Sequence, residues 1–386
     1  MSEDTPLWRR RDVLTAAGIS LSALLMETAE AQTPPLPGLI VREKRPENLE
    51  FPFGSLSSLV TPNDRFYVRS HFAVPQMDRN SWRLVVEGAV KERLELTYEE
   101  LVKMTPRTLP ATLECAGNSR VFLSPTANGV QWQLGAVSNA EWTGVPLQAV
   151  LQRAGVLPGA VEVILEGADT GEIKNPPKPA GMIHYSRSLP LERANRPEVL
   201  LAYRMNGQEL PLSHGFPVRA IVPGWYGMAS VKWLTRLIVV DKPYHGHFQT
   251  IDYAIWETTH GVKSRIPVTE IQVKAEIARP EMQESIAAGS TYRISGAAWT
   301  GDSEIAKVEV STDEGKTWEV ARLLGASARY AWRLWEYSWK VPTQSGRYTL
   351  MARATDAKGN TQPMERQPDR ENYMINHVLP IEVNVR

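Results

Sequence analysis

One cysteine, Cys115, stands in 386 residues. No disulfide can close within the chain, so this thiol is either a small buried hydrophobe or a working group. A lone cysteine also excludes a Cys-x-x-Cys-His haem attachment. Charge of one sign is missing as well: 43 Lys and Arg balance 43 Asp and Glu. With no basic block outside the extreme N-terminus, nucleic-acid or anionic-membrane binding has no electrostatic basis. After residue 32, Arg, Lys, Asp or Glu interrupts every long apolar stretch, so no membrane anchor is expected. No Gly-rich phosphate loop of the nucleotide-binding type occurs, and the carboxylates show no spacing that marks an acid–base pair.

What the chain does have is punctuation. Its 28 prolines and 26 glycines predict many short strands joined by turns, and its length predicts two domains. At the N-terminus, Trp8-Arg9-Arg10-Arg11-Asp12-Val13-Leu14 leads into an apolar run ending near Met26, followed by Ala29-Glu30-Ala31. The run is shorter than the roughly 20 residues that span a bilayer, and Ala-Glu-Ala has the small-x-small form of a signal-peptidase site. Residues 1–31 therefore resemble a bacterial twin-arginine signal peptide, with residues 32–54 an N-terminal extension. The expected destination is the periplasm.

Export would carry Cys115 into an oxidising compartment, where an unpaired thiol must be hidden or used. Its surroundings, Leu113-Glu114-Cys115-Ala116-Gly117-Asn118-Ser119-Arg120, follow a short strand signal at Ala111 to Leu113 and break at Gly-Asn into a strand-to-loop corner. The thiolate is the metal-binding form, and a guanidinium such as that of Arg120 favours it by lowering the thiol pKa.

Cys115-Ala116-Gly117-Asn118-x-Arg120 resembles the metal-ligand loop of the sulfite oxidase family of molybdenum enzymes. Other blocks stand in the same family order: Phe66-Tyr67-Val68-Arg69-Ser70-His71, Glu141 to Leu147, Glu166-Gly167-Ala168-Asp169, Leu200 to Gly207, His214-Gly215-Phe216-Pro217-Val218-Arg219, Ser230 to Leu234, and Asp252-Tyr253. They span about residues 55 to 260. Beyond them, Val308 to Trp318 reads as a strand, an acidic Gly turn and a second strand, with further strands at Ser338 to Val341 and Tyr348 to Ala354.

The resemblance implies an α+β chain: a mixed α/β molybdopterin-binding catalytic domain over 55–266, then an immunoglobulin-like β-sandwich over 267–386 that makes a homodimer. It also implies a molybdenum–molybdopterin cofactor with one pyranopterin dithiolene, Cys115 being the protein's sulfur on the metal. His71, Asp169, His214, Arg219, Ser230 and Lys232 would cradle the cofactor's phosphate and pterin edge. A small oxyanion, sulfite, would be clamped by Arg69, Arg120 and, from the C-terminal domain, Arg333. Trp132 would wall the pocket, and Tyr253 would donate a hydrogen bond to the anion or the metal's oxygen. Ser119 departs from the arginine of the animal enzymes at this position, which takes a positive charge away from the loop. Electrons would pass to a separate acceptor, a cytochrome c, since no haem is attached and no room precedes the matched region for a fused haem domain.

Competing readings remain within the same fold: a sulfane dehydrogenase subunit, a nitrate-reductase-like domain or a sulfoxide reductase. Nitrate reductases share the cysteine loop but carry haem and flavin domains, and the sulfane branch departs from the loop and its arginine. In another class stands a non-catalytic exported β-rich binding protein. His245-Gly246-His247 brings two imidazoles together without a third ligand nearby and is read as structural.

Overall fold

The computed structural model describes residues 38–386, which form one compact unit. The expected signal peptide, 1–31, and the beginning of the 32–54 extension lie outside the described residues. Strands dominate, and the longest described helix, Leu147–Ala154, has eight residues. It forms because Leu147, Val150, Leu151 and Ala154 fall on one face and are all buried. It stops at Gly155, whose φ of 69° is the left-handed conformation a glycine adopts at no side-chain cost. The shorter Tyr98–Val102 helix starts at a reciprocal Thr97–Glu100 capping box.

Two five-stranded sheets build the N-terminal part. One runs Leu94–Thr97, Arg83–Gly88, Leu234–Val240, Glu162–Glu172, Met182–Pro190. It is mixed, because Leu234–Val240 lies parallel to Arg83–Gly88 and antiparallel to Glu162–Glu172. The other contains Gln208–Glu209, Leu200–Met205, Val137–Pro146 and Arg107–Glu114, with Arg219–Ile221 paired to Leu200–Met205. The strand expected at Ala111 to Leu113 is longer than its apolar core. Arg107–Glu114 pairs along its whole length with Val137–Pro146, and Cys115 follows at its end.

The C-terminal part is a two-sheet sandwich. Lys274–Arg279, Thr291–Trp299, Arg333–Lys340 and Arg322–Leu323 face Ser285–Ile286, Ile381–Val385, Gly346–Asp356, Ile305–Ser311 and Glu319–Val320. Ile294, Val308, Trp335, Leu350 and Val383 fill the space between them. The acidic turn closes its hairpin with Glu314 and Gly315 both at positive φ, so that Glu309 pairs with Val320. The two parts do not keep separate interiors. Ala297, Trp299, Trp332 and Met374, all from the C-terminal part, pack into the core that surrounds Cys115.

Candidate active site

A cleft of about 630 Å³, part of it open to solvent, lies where the cysteine strand, the strand Val68–Arg69 and the segment His214–Trp233 converge. Cys115 lies on its wall. The thiol side chain is 6% exposed, so it faces the cleft without facing bulk water. Backbone bonds fix the turn that carries it: Cys115 N donates to Ala136 O (2.8 Å), Asn118 N to Cys115 O (2.9 Å) and Ser119 N to Gln133 O (2.7 Å). Ser119 closes the turn with φ of 72°.

Arg69, His71, Asp169, His214, Arg219, Ser230, Lys232 and Tyr253 line the same cleft as Cys115. Lys232 Nζ donates to Ser70 Oγ (2.9 Å) and Ser213 O (2.8 Å) and sits 4.2 Å from the centre of the Trp233 ring. Burial, reinforced by the nearby Arg219 guanidinium, pushes its pKa down to about 7. Arg219 donates to His214 O and Ser230 O, both at 2.9 Å, and burial lowers it to about 10. Burial, Lys232 and Arg219 drive His214 down to about 3, so its imidazole is neutral. Asp169 is the one carboxylate on the wall; burial raises it to about 6, against the pull of Lys232. Its Oδ1 is buried and has no hydrogen-bond partner.

Tyr253 holds a left-handed backbone, φ 57°, a strained conformation for an aromatic residue. Its hydroxyl lies 2.5 Å from His71 Nε2. His71 also stacks on Tyr185, with ring centres 4.3 Å apart, and burial beside Arg69 keeps its pKa well below the ordinary value. Arg69 donates to Asn48 Oδ1 (3.2 Å) and to the Ser70 carbonyl. Tyr67 and Tyr185 complete the wall. They were not among the residues expected there, although Tyr67 lies inside the Phe66 to His71 block.

Three expected residues, Arg120, Trp132 and Arg333, are not among the side chains that line this cleft. Arg120 folds behind the cysteine turn and donates to Val130 O (2.8 Å) and, through Nε and Nη2, to Asn372 O. Glycines make the room: a Cβ on Gly117 would lie 2.0 Å from Arg120 Nη2, and one on Gly129 2.8 Å from Nη1. Arg120 overlies the Tyr373 ring at 5.8 Å, and that ring contacts Tyr253 of the cleft wall at 5.1 Å. Trp132 is fully buried in the core and does not line the cleft. Arg333 sits on a sandwich strand opposite Ala298, with Nε and Nη1 buried and without a hydrogen-bond partner. His247 Nε2 is 3.5 Å from Asp252, and among the described residues no group of three His, Cys, Asp or Glu could hold a metal.

The family model for the oxidoreductase molybdopterin binding domain matches residues 71–248, and that for the Mo-co oxidoreductase dimerisation domain matches 265–384. Sulfite oxidase of Gallus gallus is 37% identical over 348 residues, covering 85% of this chain and 73% of that protein. This chain belongs to the sulfite oxidase family. The mitochondrial sulfite oxidase of Homo sapiens is 38% identical over 346 residues, of which this chain spans 62% of the length. Among solved structures, the sulfane dehydrogenase SoxCD from Paracoccus pantotrophus matches with a TM-score of 0.78 at 27% identity, over 95% of this chain and 92% of that one.

The cleft fits the family's molybdenum–molybdopterin group. Arg69, Arg219 and Lys232 face a single carboxylate, an excess of positive charge that suits a phosphate-bearing ligand. Asp169 offers an unused acceptor for the N–H donors of a pterin edge. Cys115 is the one thiol, so a metal held there must draw its other sulfur donors from the cofactor. The protein is a molybdopterin-dependent oxidoreductase.

Proposed function

We propose that this family member oxidises sulfite to sulfate and passes the electrons to an external acceptor such as a cytochrome c. The observation that carries the reading is the Cys115 thiol and the Arg69 guanidinium on the wall of one cation-rich cleft. A sulfite dianion is costly to desolvate unless fixed positive charge receives it.

Bound at Cys115, the molybdenum–molybdopterin group supplies two-electron oxygen-atom transfer. The overall change, sulfite and water to sulfate with two protons and two electrons, leaves the chain three tasks. Arg69 draws the anion in and orients it by charge-assisted hydrogen bonds. Lys232, Arg219, His214, Ser230 and Asp169 hold the cofactor's phosphate and pterin edge. The His71–Tyr253 pair fixes a hydrogen bond on the cleft wall: burial keeps the Tyr253 phenol protonated and His71 neutral, with hydroxyl and Nε2 2.5 Å apart.

Purified, cofactor-loaded protein should reduce ferricyanide or cytochrome c in a sulfite-dependent way. Activity with nitrate and none with sulfite would overturn the reading. The structural match to a sulfane dehydrogenase over nearly the whole chain favours one alternative, a sulfane sulfur substrate for the same cleft. Turnover with a sulfane donor but not sulfite would select it. We further propose that the protein is periplasmic, exported by residues 1–31, and dimeric through its C-terminal part, which the dimerisation-domain match supports. Cell fractionation and sedimentation of the mature protein test both.

A further inference from the structure

Behind the cysteine turn, on the side away from the cleft, lies a charged cluster that the chemistry above does not use. Lys274 Nζ lies 3.2 Å from Glu114 Oε1, 2.7 Å from Glu276 Oε1 and 2.9 Å from Ser119 Oγ. Ser119 Oγ in turn donates to Glu276 Oε1 (2.8 Å), and Trp299 Nε1 donates to Glu114 Oε2 (2.8 Å). Asn118 Nδ2 donates to Glu114 Oε1 (3.2 Å). Side chains of Lys274, Glu114 and Glu276 are 1%, 2% and 2% exposed.

Glu114 and Ser119 flank the metal-ligand turn on its two sides, whereas Lys274, Glu276 and Trp299 all come from the sandwich. Burying a cation and two carboxylates costs several kcal/mol per ion, and apolar side chains would join two layers more cheaply. The same interface has such a cheaper fastening, plus a second ionic one. Arg193 and Arg196 grip Asp302 at 2.6 and 2.5 Å without touching the turn. Docking the sandwich therefore does not require ions at Cys115.

We propose that Lys274 is a positioning residue for Cys115, holding both flanks of the turn from behind and so fixing where the thiolate points. Two further facts agree. Burial opposes the charge on Lys274, yet Glu276 and Glu114 hold its pKa above the ordinary lysine value, so the ammonium persists. Glu276 Oε2 is buried without a partner beside a small cavity lined by Leu134, Ile277 and Leu379, and burial raises this carboxyl to about 7 against the pull of Lys274, so its links to Ser119 and Lys274 run through Oε1 alone.

The inference rests on Cys115 being the metal ligand, and its test reads that ligation separately from sulfite turnover. The holoenzyme is compared with Lys274→Met/Glu276→Gln, which removes both charges while keeping a neutral Ser119 to Gln contact, and with Asp302→Asn, which loosens the interface elsewhere. The measurements are the visible absorption of the metal–thiolate unit, metal content, melting temperature, kcat and KM. The double variant should shift the absorption or shed the metal and lose roughly 10- to 100-fold in kcat with KM little changed. Asp302→Asn should melt lower with the absorption and kcat of the native enzyme. An unshifted spectrum and native kcat in the double variant overturn the inference, as does an equal shift in Asp302→Asn. A native protein with metal–thiolate absorption but no sulfite activity would instead sink the substrate reading and leave the test of Lys274 valid.

Discussion

Lys232 and Lys274 are both drawn out of bulk water, and they titrate in opposite directions. Lys232 lines the cleft among Arg219 and Arg69, with Asp169 its one acidic counterweight, and falls to about 7. Lys274 lies between Glu114 and Glu276 and is held above the ordinary value. Burial is common to both, so the neighbours decide the sign. The difference separates a region whose one cation answers two carboxylates from one that lacks an anion. Cys115 stands between them, with the cleft on one side and the acid-rich cluster behind its turn.

The largest expected effect falls on that boundary. Cys115→Ser should abolish sulfite turnover while the melting temperature stays close to native, because a hydroxyl of similar size is a poor ligand for this metal. Full activity in that variant would mean that neither region is built around a thiolate. Next comes the direct contrast of the two lysines. Lys274→Met leaves two buried carboxylates without their cation and should cost about 3–5 kcal/mol in denaturant unfolding. Lys232→Met should shed the cofactor, yet not destabilise the cofactor-free protein, because the variant no longer carries a buried amine whose charged form the fold disfavours. Equal losses would erase the distinction drawn between them.

Arg69→Gln sharpens the cleft side. It should lower kcat/KM for sulfite by roughly 100-fold, since a fixed donor to a developing anion is lost. Native kinetics would remove Arg69 from the anion's path. The smallest effect is a slope. Lys232 binds its proton less tightly in the folded state, at about 7, than at its ordinary value of 10.5. Between those values the unfolded chain holds more protons, so the cofactor-free protein should gain stability as pH rises from 7 toward 10, by at most about 1.4 kcal/mol per unit. Lys274, raised instead, stays charged in both states below 10.5 and adds no slope there. Melting temperatures across pH should therefore flatten in Lys232→Met alone.

What the sequence revealed was local or carried in ordered blocks. The corner at Cys115 is legible because Gly117-Asn118 breaks an apolar strand, and the acidic turn at Asp313 to Gly315 is legible because φ above zero demands such residues. The cleft residues from His71 to Tyr253 come from blocks quoted in order. A basic residue between tryptophans, such as Arg333, gives no sign in sequence of which layer it faces. The path of Arg120 was not legible either, because the space its guanidinium fills is left by two glycines, one of them nine residues away. Lys274 belongs to no motif, and its partners Glu114 and Ser119 lie 160 and 155 positions earlier. Pairing over such distances leaves no local periodicity to read.

The bonds from Met374 N to Ala116 O and from Arg120 to Asn372 O tie the cysteine turn to residues near the end of the chain, the latter across 252 positions. Contacts so remote in sequence close late, after the intervening loop entropy has been overcome. On a ribosome, the turn would emerge long before the segment that latches it. The wall that carries Cys115 is thus tied from behind by residues more than 250 positions later, and it is complete only with the last part of the sandwich.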